Sequence, residues 1–320
     1  MSEDSNPFPV MKKTILSFIQ DQRFKIPPVI QVDLKGQTVI VVGANTGLGF
    51  ETAKHFSRMG PAKLILACRN EEKGRAAVNK IREETGYSAE LRALDLARFS
   101  SVLSFVDDFL KEGNRLDILV ANAAITATEY KTTVDGWEET LQVNDLSTSL
   151  LCLLLAPRIV ETATKYGTRP RIVVVTSELH YWAHLDDTKV INAPSPFQIL
   201  NKLLKDTPVT VSCVNPGLCK SDLRRSFSGI RSIMINLLEK ALARTAEEGS
   251  RQFVWAAVGG PDDVDLLKGA YVNIYEVEEP SDYVLGEEGK RRQDKLWADL
   301  IEELSKVDGR VKQIVQNFSG

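Results

Sequence analysis

Short runs of apolar, β-branched residues recur along the chain, separated by stretches of helical spacing or by glycine and proline. Thr38–Val42, Lys63–Cys68, 89–94, 116–120, Arg171–Val175, 209–214 and 269–273 read as seven strands, and the first is apolar enough to be buried on both faces. Stretches 71–85, 99–111, 136–160 and 246–258 read as helices, the last opened by the capping box Thr245-Ala246-Glu247-Glu248. Strands alternating with helices over this length predict an α/β fold. The expected architecture is one doubly wound, Rossmann-like parallel sheet with helices on both faces, in a single domain at 36–276. A leader, 1–35, precedes it. Residues 1–9 are expected to be disordered, and 10–22 to form a short amphipathic helix that Pro27-Pro28 ends. A helical tail, 277–320, follows. Its stripe Leu296, Trp297, Leu300, Ile301, Leu304 and Val307 reads as packing on the domain, or as a lid over a substrate mouth.

The chemistry starts where the first strand ends. Gly43-Ala44-Asn45-Thr46-Gly47-Leu48-Gly49 runs straight from that strand into residues of helical composition. Strand, glycine turn and helix together present backbone N–H groups and a positive helix end to a phosphate, and glycine lets the backbone approach a pyrophosphate. The layout predicts a dinucleotide site. The second strand ends in Arg69-Asn70, 20 residues past Gly49, where an acid would hold a ribose hydroxyl in an NAD site. Arginine with no acid there favours NADP over NAD, the other reading being a surface arginine that closes a strand. The small residues Ala121-Asn122-Ala123-Ala124 directly after the fourth strand also permit close approach of a ligand.

Composition narrows the remaining classes. The chain has 320 residues, 43% of them hydrophobic, enough for a sizeable core, and its net charge of −3 with mixed signs gives no electrostatic case for nucleic acid or an acidic membrane. Cys68, Cys152, Cys213 and Cys219 have neither CxxC spacing nor a disulfide pattern, and the three histidines lack partners at ligand spacing, so reduced thiols and no metal are expected. The apolar run Thr14–Ile19 is too short for a signal-peptide core, and no stretch approaches the ~20 apolar residues of a spanning helix. The expectation is a soluble, cytoplasmic protein, with weak membrane contact by the leader as the alternative.

With these pieces assembled, the chain resembles the short-chain dehydrogenase/reductase family, in its retinol-dehydrogenase-like fungal branch. The resemblance covers about 36–276 and rests on GANTGLG at 43–49, ACRN at 67–70, Asp95-Leu96, ANAA at 121–124, QVN at 142–144, VVTS at 174–177 and NPGLCKS at 215–221. It implies an NADP-dependent oxidoreductase interconverting a secondary alcohol and a ketone on a hydrophobic small molecule, such as a fungal terpenoid. Gly43, Gly47 and Gly49 with Asn45, Thr46 and Leu48 would form the phosphate turn. Asp95 and Leu96 would flank adenine, and Asn122 and Ala123 the adenosine side. Pro216, Gly217, Leu218 and Ser221 would hold the nicotinamide end. Ser177 would hydrogen-bond the substrate oxygen, and Asn144 would hold a proton-relay water. Ala124 replaces the glycine usual in that turn.

One part of the family pattern is missing. Its proton-transfer pair is Tyr-x-x-x-Lys on the helix after strand five, the ammonium lowering the phenol pKa. None of the seven tyrosines has lysine at the fourth position after it. Tyr181 is followed there by Leu185, and Lys202 is preceded by Gln198, which is no acid of comparable strength. Ser195-Pro196 and Asp206-Thr207-Pro208 bracket a helix of about ten residues, roughly 15 Å long. The simplest origin is an internal deletion between about 198 and 208. Because this helix commonly builds the family's dimer interface, a homo-oligomer is left open. Tyr181 is a substitute candidate for the donor. A cofactor-binding protein without turnover is the alternative function.

Overall fold

The computed structural model describes residues 13–182, 196–224, 227, 229–260 and 264–318. The expectations for residues 1–9, for Ser195, and for the side chain of Gln198 lie outside them. The elements run α1 (Ile15–Arg23), β1 (Thr38–Val42), α2 (Gly47–Arg58), β2 (Lys63–Cys68), α3 (Glu71–Thr85), β3 (Glu90–Ala93), α4 (Phe99–Lys111), β4 (Ile118–Ala121) and α5 (Glu139–Tyr166). They continue with β5 (Arg171–Val175), α6 (Pro196–Leu203), β6 (Thr210–Asn215), α7 (Gly229–Leu242), α8 (Ala246–Val258), β7 (Tyr271–Asn273), β8 (Glu276–Glu278), α9 (Gly286–Val307) and α10 (Arg310–Phe318).

The strands form one sheet in the order β3-β2-β1-β4-β5-β6-β7-β8, parallel except for the last. Side chains alternate across it as the period of two requires. Val39 and Val41 of β1 face α2, α3 and α8, while Ile40 and Val42 face α4, α5, α6 and the tail. The order reverses between β1 and β4, which puts a crevice at the carboxyl ends of those strands.

Three elements differ from the sequence expectation. The helix expected at 136–160 spans Glu139–Tyr166. It starts later because the Glu138 carboxylate accepts from the N–H groups of Thr140 (2.9 Å) and Leu141 (2.7 Å), and it ends later because Gly167 supplies the left-handed cap. Within it, Gln142–Leu146 winds one π turn. The apolar stretch of this helix is core. The second difference is β8, an antiparallel strand whose charged sequence Glu-Val-Glu carries no strand signal. Its hairpin turn is made by Ile274 and Tyr275, both left-handed (φ 48° and 65°), and the Ile274 N–H is held by Gln252 Oε1 at 2.7 Å. Third, the tail breaks at Asp308 into two helices. Leu300, Leu304, Val311 and Ile314 bury into the α5 layer.

Helix α6 is short, ending at Leu203, eight residues against the roughly ten expected. Leu200, Leu203 and Leu204 lie on its buried side, and Lys202 Nζ turns to Gln293 Oε1 on α9 at 3.2 Å.

The leader crosses the carboxyl edge of the sheet. Lys13, only 5% exposed, meets Asp21 (2.6 Å), Glu278 (3.4 Å) and Glu178 (3.7 Å), and its backbone oxygen accepts from Trp182 Nε1 at 2.8 Å. Arg244, also buried, donates to the backbone oxygens of Asp21 (2.5 Å) and Pro216 (3.1 Å) and so ties the leader to the loop after β6.

Candidate active site

A cleft of about 2300 Å³ opens along the carboxyl ends of β1, β2, β4, β5 and β6. Its floor is the glycine turn. Thr46 precedes α2 without capping it, because its hydroxyl donates instead to Asp222 Oδ2 (3.2 Å), so the first-turn amides of α2 are left without a side-chain cap at the cleft. Gly47 is left-handed (φ 58°), and a Cβ there would meet only Ser221, at 3.9 Å. That opening beside uncapped amides fits a phosphate group.

The other two glycines do different work. A Cβ on Gly43 would lie 2.9 Å from Ala123, and one on Gly49 would lie 2.4 Å from the Gly43 carbonyl oxygen. Gly49 does not line the cleft; it lets the turn close on itself, which corrects its assignment as a ligand-facing position. Asn122 belongs to the same packing, donating to the carbonyls of Val42 (3.0 Å) and Gly43 (3.3 Å).

Arg69 stands on the cleft wall at the end of β2, half exposed, with Glu139 at 4.0 Å across the opening. Lys73 joins it one turn into α3, the helix capped by Asn70. Sequence reasoning missed Lys73, although its position three residues past the cap is legible. Asp95 and Leu96 line the same end, with Asp95 accepting from the Ala97 N–H at 3.1 Å.

At the opposite end lie Ser177, Pro216, Gly217 and Leu218, with Ser221 beside Gly47 of the glycine turn. Ser177 Oγ accepts from the Leu179 N–H (3.2 Å), which leaves its own proton to donate to a ligand oxygen. Asn215 sets this end: its Oδ1 accepts from the N–H groups of Glu178 (3.3 Å) and Gly217 (3.2 Å). Asn144 lies in the π turn, with both ends of its amide engaged by the backbone of Ile125, each at 2.9 Å. Its neighbour Asp145 lines the cleft, and burial lifts its carboxyl to a pKa of about 6.

Comparison with known proteins gives the lineage. Residues 37–181 match the family model described as short chain dehydrogenase. A short chain dehydrogenase/reductase of Cryptosporiopsis, dmxR8, is 33% identical over 324 residues, covering 91% of this chain and 98% of that one. The chain belongs to the short-chain dehydrogenase/reductase family. A second fungal relative, the short-chain dehydrogenase anuD of Penicillium roqueforti, is 34% identical and covers 90% of this chain and 82% of its own. Among solved structures, the 3-ketoacyl-(acyl-carrier-protein) reductase of Brucella melitensis, complexed with NADH, shares the fold with a TM-score of 0.59 at 20% identity, over 75% of this chain and 97% of that one.

The substitute candidate for the proton donor, Tyr181, stands apart from this site. Tyr181 does not line the cleft; its hydroxyl donates to the Glu279 carbonyl at 2.5 Å, and burial, with the nearby carboxylates, pushes its pKa far up. Tyr181 is therefore not a donor in this arrangement. Local sequence carries no sign that the leader (Lys13 to Phe18) forms a wall of the cleft, whereas Leu296 and Leu300 of the tail, read from sequence as packing or as a lid, do line it.

Proposed function

We propose that this chain is an NADP-dependent oxidoreductase that interconverts a secondary alcohol and a ketone on a hydrophobic small molecule, in the manner of a fungal secondary-metabolite enzyme. The observation that carries the cofactor choice is the pair Arg69 and Lys73 on the wall at the end of β2, with no acid at the strand end. Two cations there suit a 2′-phosphate, and Arg69 can meet it through more than one donor.

When bound, the nicotinamide would supply or accept hydride. The chain's own residues do the rest. The α2 amides and Gly47 receive the pyrophosphate, and the Ser177 hydroxyl donates to the substrate oxygen as charge develops on it. Apolar groups at the far end, including Ile125, Trp137, Leu296 and Leu300, favour a hydrophobic substrate and exclude water.

A second reading, cofactor binding without turnover, draws on the engaged Tyr181 hydroxyl. One experiment separates the two. NADPH and NADH are titrated by intrinsic fluorescence, and NADPH consumption is then followed over a panel of hydrophobic ketones. Tighter binding of NADPH, turnover, and its loss in Ser177→Ala are expected. Binding with no turnover would favour the second reading, and failure to bind either dinucleotide would sink both. R69A/K73A should weaken NADPH about 10- to 100-fold and leave NADH nearly unchanged.

A further inference from the structure

We propose that Asp145 exchanges the proton with the substrate oxygen, in place of the tyrosine this chain lacks; the assignment rests on the oxidoreductase reading above. Asp145 sits in the π turn Gln142–Leu146, a local winding that often marks functional positions. Its backbone is fixed from both sides. Asn144 is clamped to Ile125, and Val143 and Leu146 are buried in the core. Asp145 and Thr148, one turn apart, face the cleft that also holds Ser177. Thr148 is closed on its own helix, donating to the Val143 carbonyl at 2.9 Å.

The state of the other acids singles Asp145 out. Each remaining carboxylate on the cleft wall has a partner: Glu178 has Lys13, Glu139 has Arg69, Asp95 has Arg98, Asp222 has Thr46, Asp299 has Lys295 and Glu303 has Lys306. Asp145 makes no hydrogen bond or ion pair among the described residues. Burial alone raises its pKa to about 6, with no charged neighbour contributing, so near neutral pH both protonation states are within reach. Tyr181 and Lys202, the nearest substitutes by sequence, point to Glu279 and Gln293.

In the reductive direction hydride addition at the carbonyl carbon, which a reduced dinucleotide would supply when bound, moves the carbonyl π pair to oxygen. That oxygen takes the Asp145 proton, giving an alcohol and an Asp145 carboxylate, and cleft water returns the proton. Oxidation runs the same exchange backwards, with the carboxylate as base.

The test uses the full chain and Asp145→Asn. An infrared difference titration of cofactor-free wild type against D145N should show one protonated carboxyl band that disappears with a midpoint near pH 6 and is missing in D145N. Ketone reduction should fall as pH rises through that midpoint, and D145N should lose at least about 100-fold in kcat with NADPH affinity unchanged. Turnover of D145N within about twofold of wild type, or no band assignable to Asp145, would overturn the assignment. Failure of the broader reading looks different: wild type then binds NADPH and consumes none with any ketone, which removes the role of Asp145 as well.

Discussion

Asn144 and Ile125 bind each other twice, the Ile125 N–H donating to Asn144 Oδ1 and Asn144 Nδ2 donating to the Ile125 carbonyl, both at 2.9 Å. This pair joins the π turn of α5 to the loop leaving β4, so two walls of the cleft move as one. Asn144→Ala removes both partners and leaves two backbone groups half-buried without them. Urea denaturation should show a loss of about 2–3 kcal/mol, and faster amide exchange at Ile125 would locate it. An unchanged exchange rate would show that the clamp does not hold the loop.

Gly47 is the glycine whose substitution should separate binding from folding. A Cβ there would stand in open space beside the α2 amides, whereas at Gly43 or Gly49 it would collide with backbone. Gly47→Ala should cost about 1–2 kcal/mol for the left-handed backbone and weaken NADPH at least about 10-fold. Gly49→Ala should instead unfold the turn. Equal NADPH affinity in Gly47→Ala and wild type, by fluorescence titration, would remove the phosphate from this turn.

Stability should depend on pH through Asp145. An unfolded aspartate titrates at about 3.9, whereas burial moves the folded group to about 6. Between these values the folded chain holds a proton that the unfolded chain has released, so stability falls as pH rises through the window and the penalty is complete above it. D145N carries no such penalty. It should exceed wild type by about 2–3 kcal/mol at pH 8 and match it near pH 3.5, as read from chemical denaturation at the two values. A constant difference would mean that Asp145 titrates normally.

Lys13 is the cation among three carboxylates at the sheet edge. Burial opposes its charge, but the Asp21 hydrogen bond and the charges of Glu278 and Glu178 outweigh this and raise its pKa above 10.5. The stabilisation is therefore present below about pH 10.5 and lost as pH rises through the folded value. Lys13→Met strands the acids, and a loss of about 3 kcal/mol is expected at pH 7. The gap should narrow on acidification, when Glu178, whose pKa burial raises, is neutralised. A loss that does not vary with pH would point to packing rather than charge.

The seven parallel strands were legible because β-branched runs such as Thr38–Val42 and Arg171–Val175 have no other good use than a sheet covered on both faces. The π turn was not legible: one extra residue in a winding leaves the apolar periodicity of 143–156 intact. Strand β8 was hidden because its pairing is fixed by the hairpin turn and by Asn273, whose amide donates to Glu278 at 2.8 Å, rather than by its own apolar content. In the site, the glycine turn, Arg69 and Ser177 could be placed from local order along the chain. The walls given by Lys13 and Trp182 could not, since contacts across more than 100 residues leave no local trace, while the apolar stripe with Leu296 and Leu300 fitted either packing or a lid.

The leader's course has a practical corollary for anyone trimming the protein. The family match begins at residue 37, but Lys13 to Phe18 already frame the opening. A version shortened to the homologous boundary would keep the sheet while baring Glu178, Glu278 and Arg244 to water. Its ligand preferences would then describe a different entrance, and a screen run on it would select the wrong compounds.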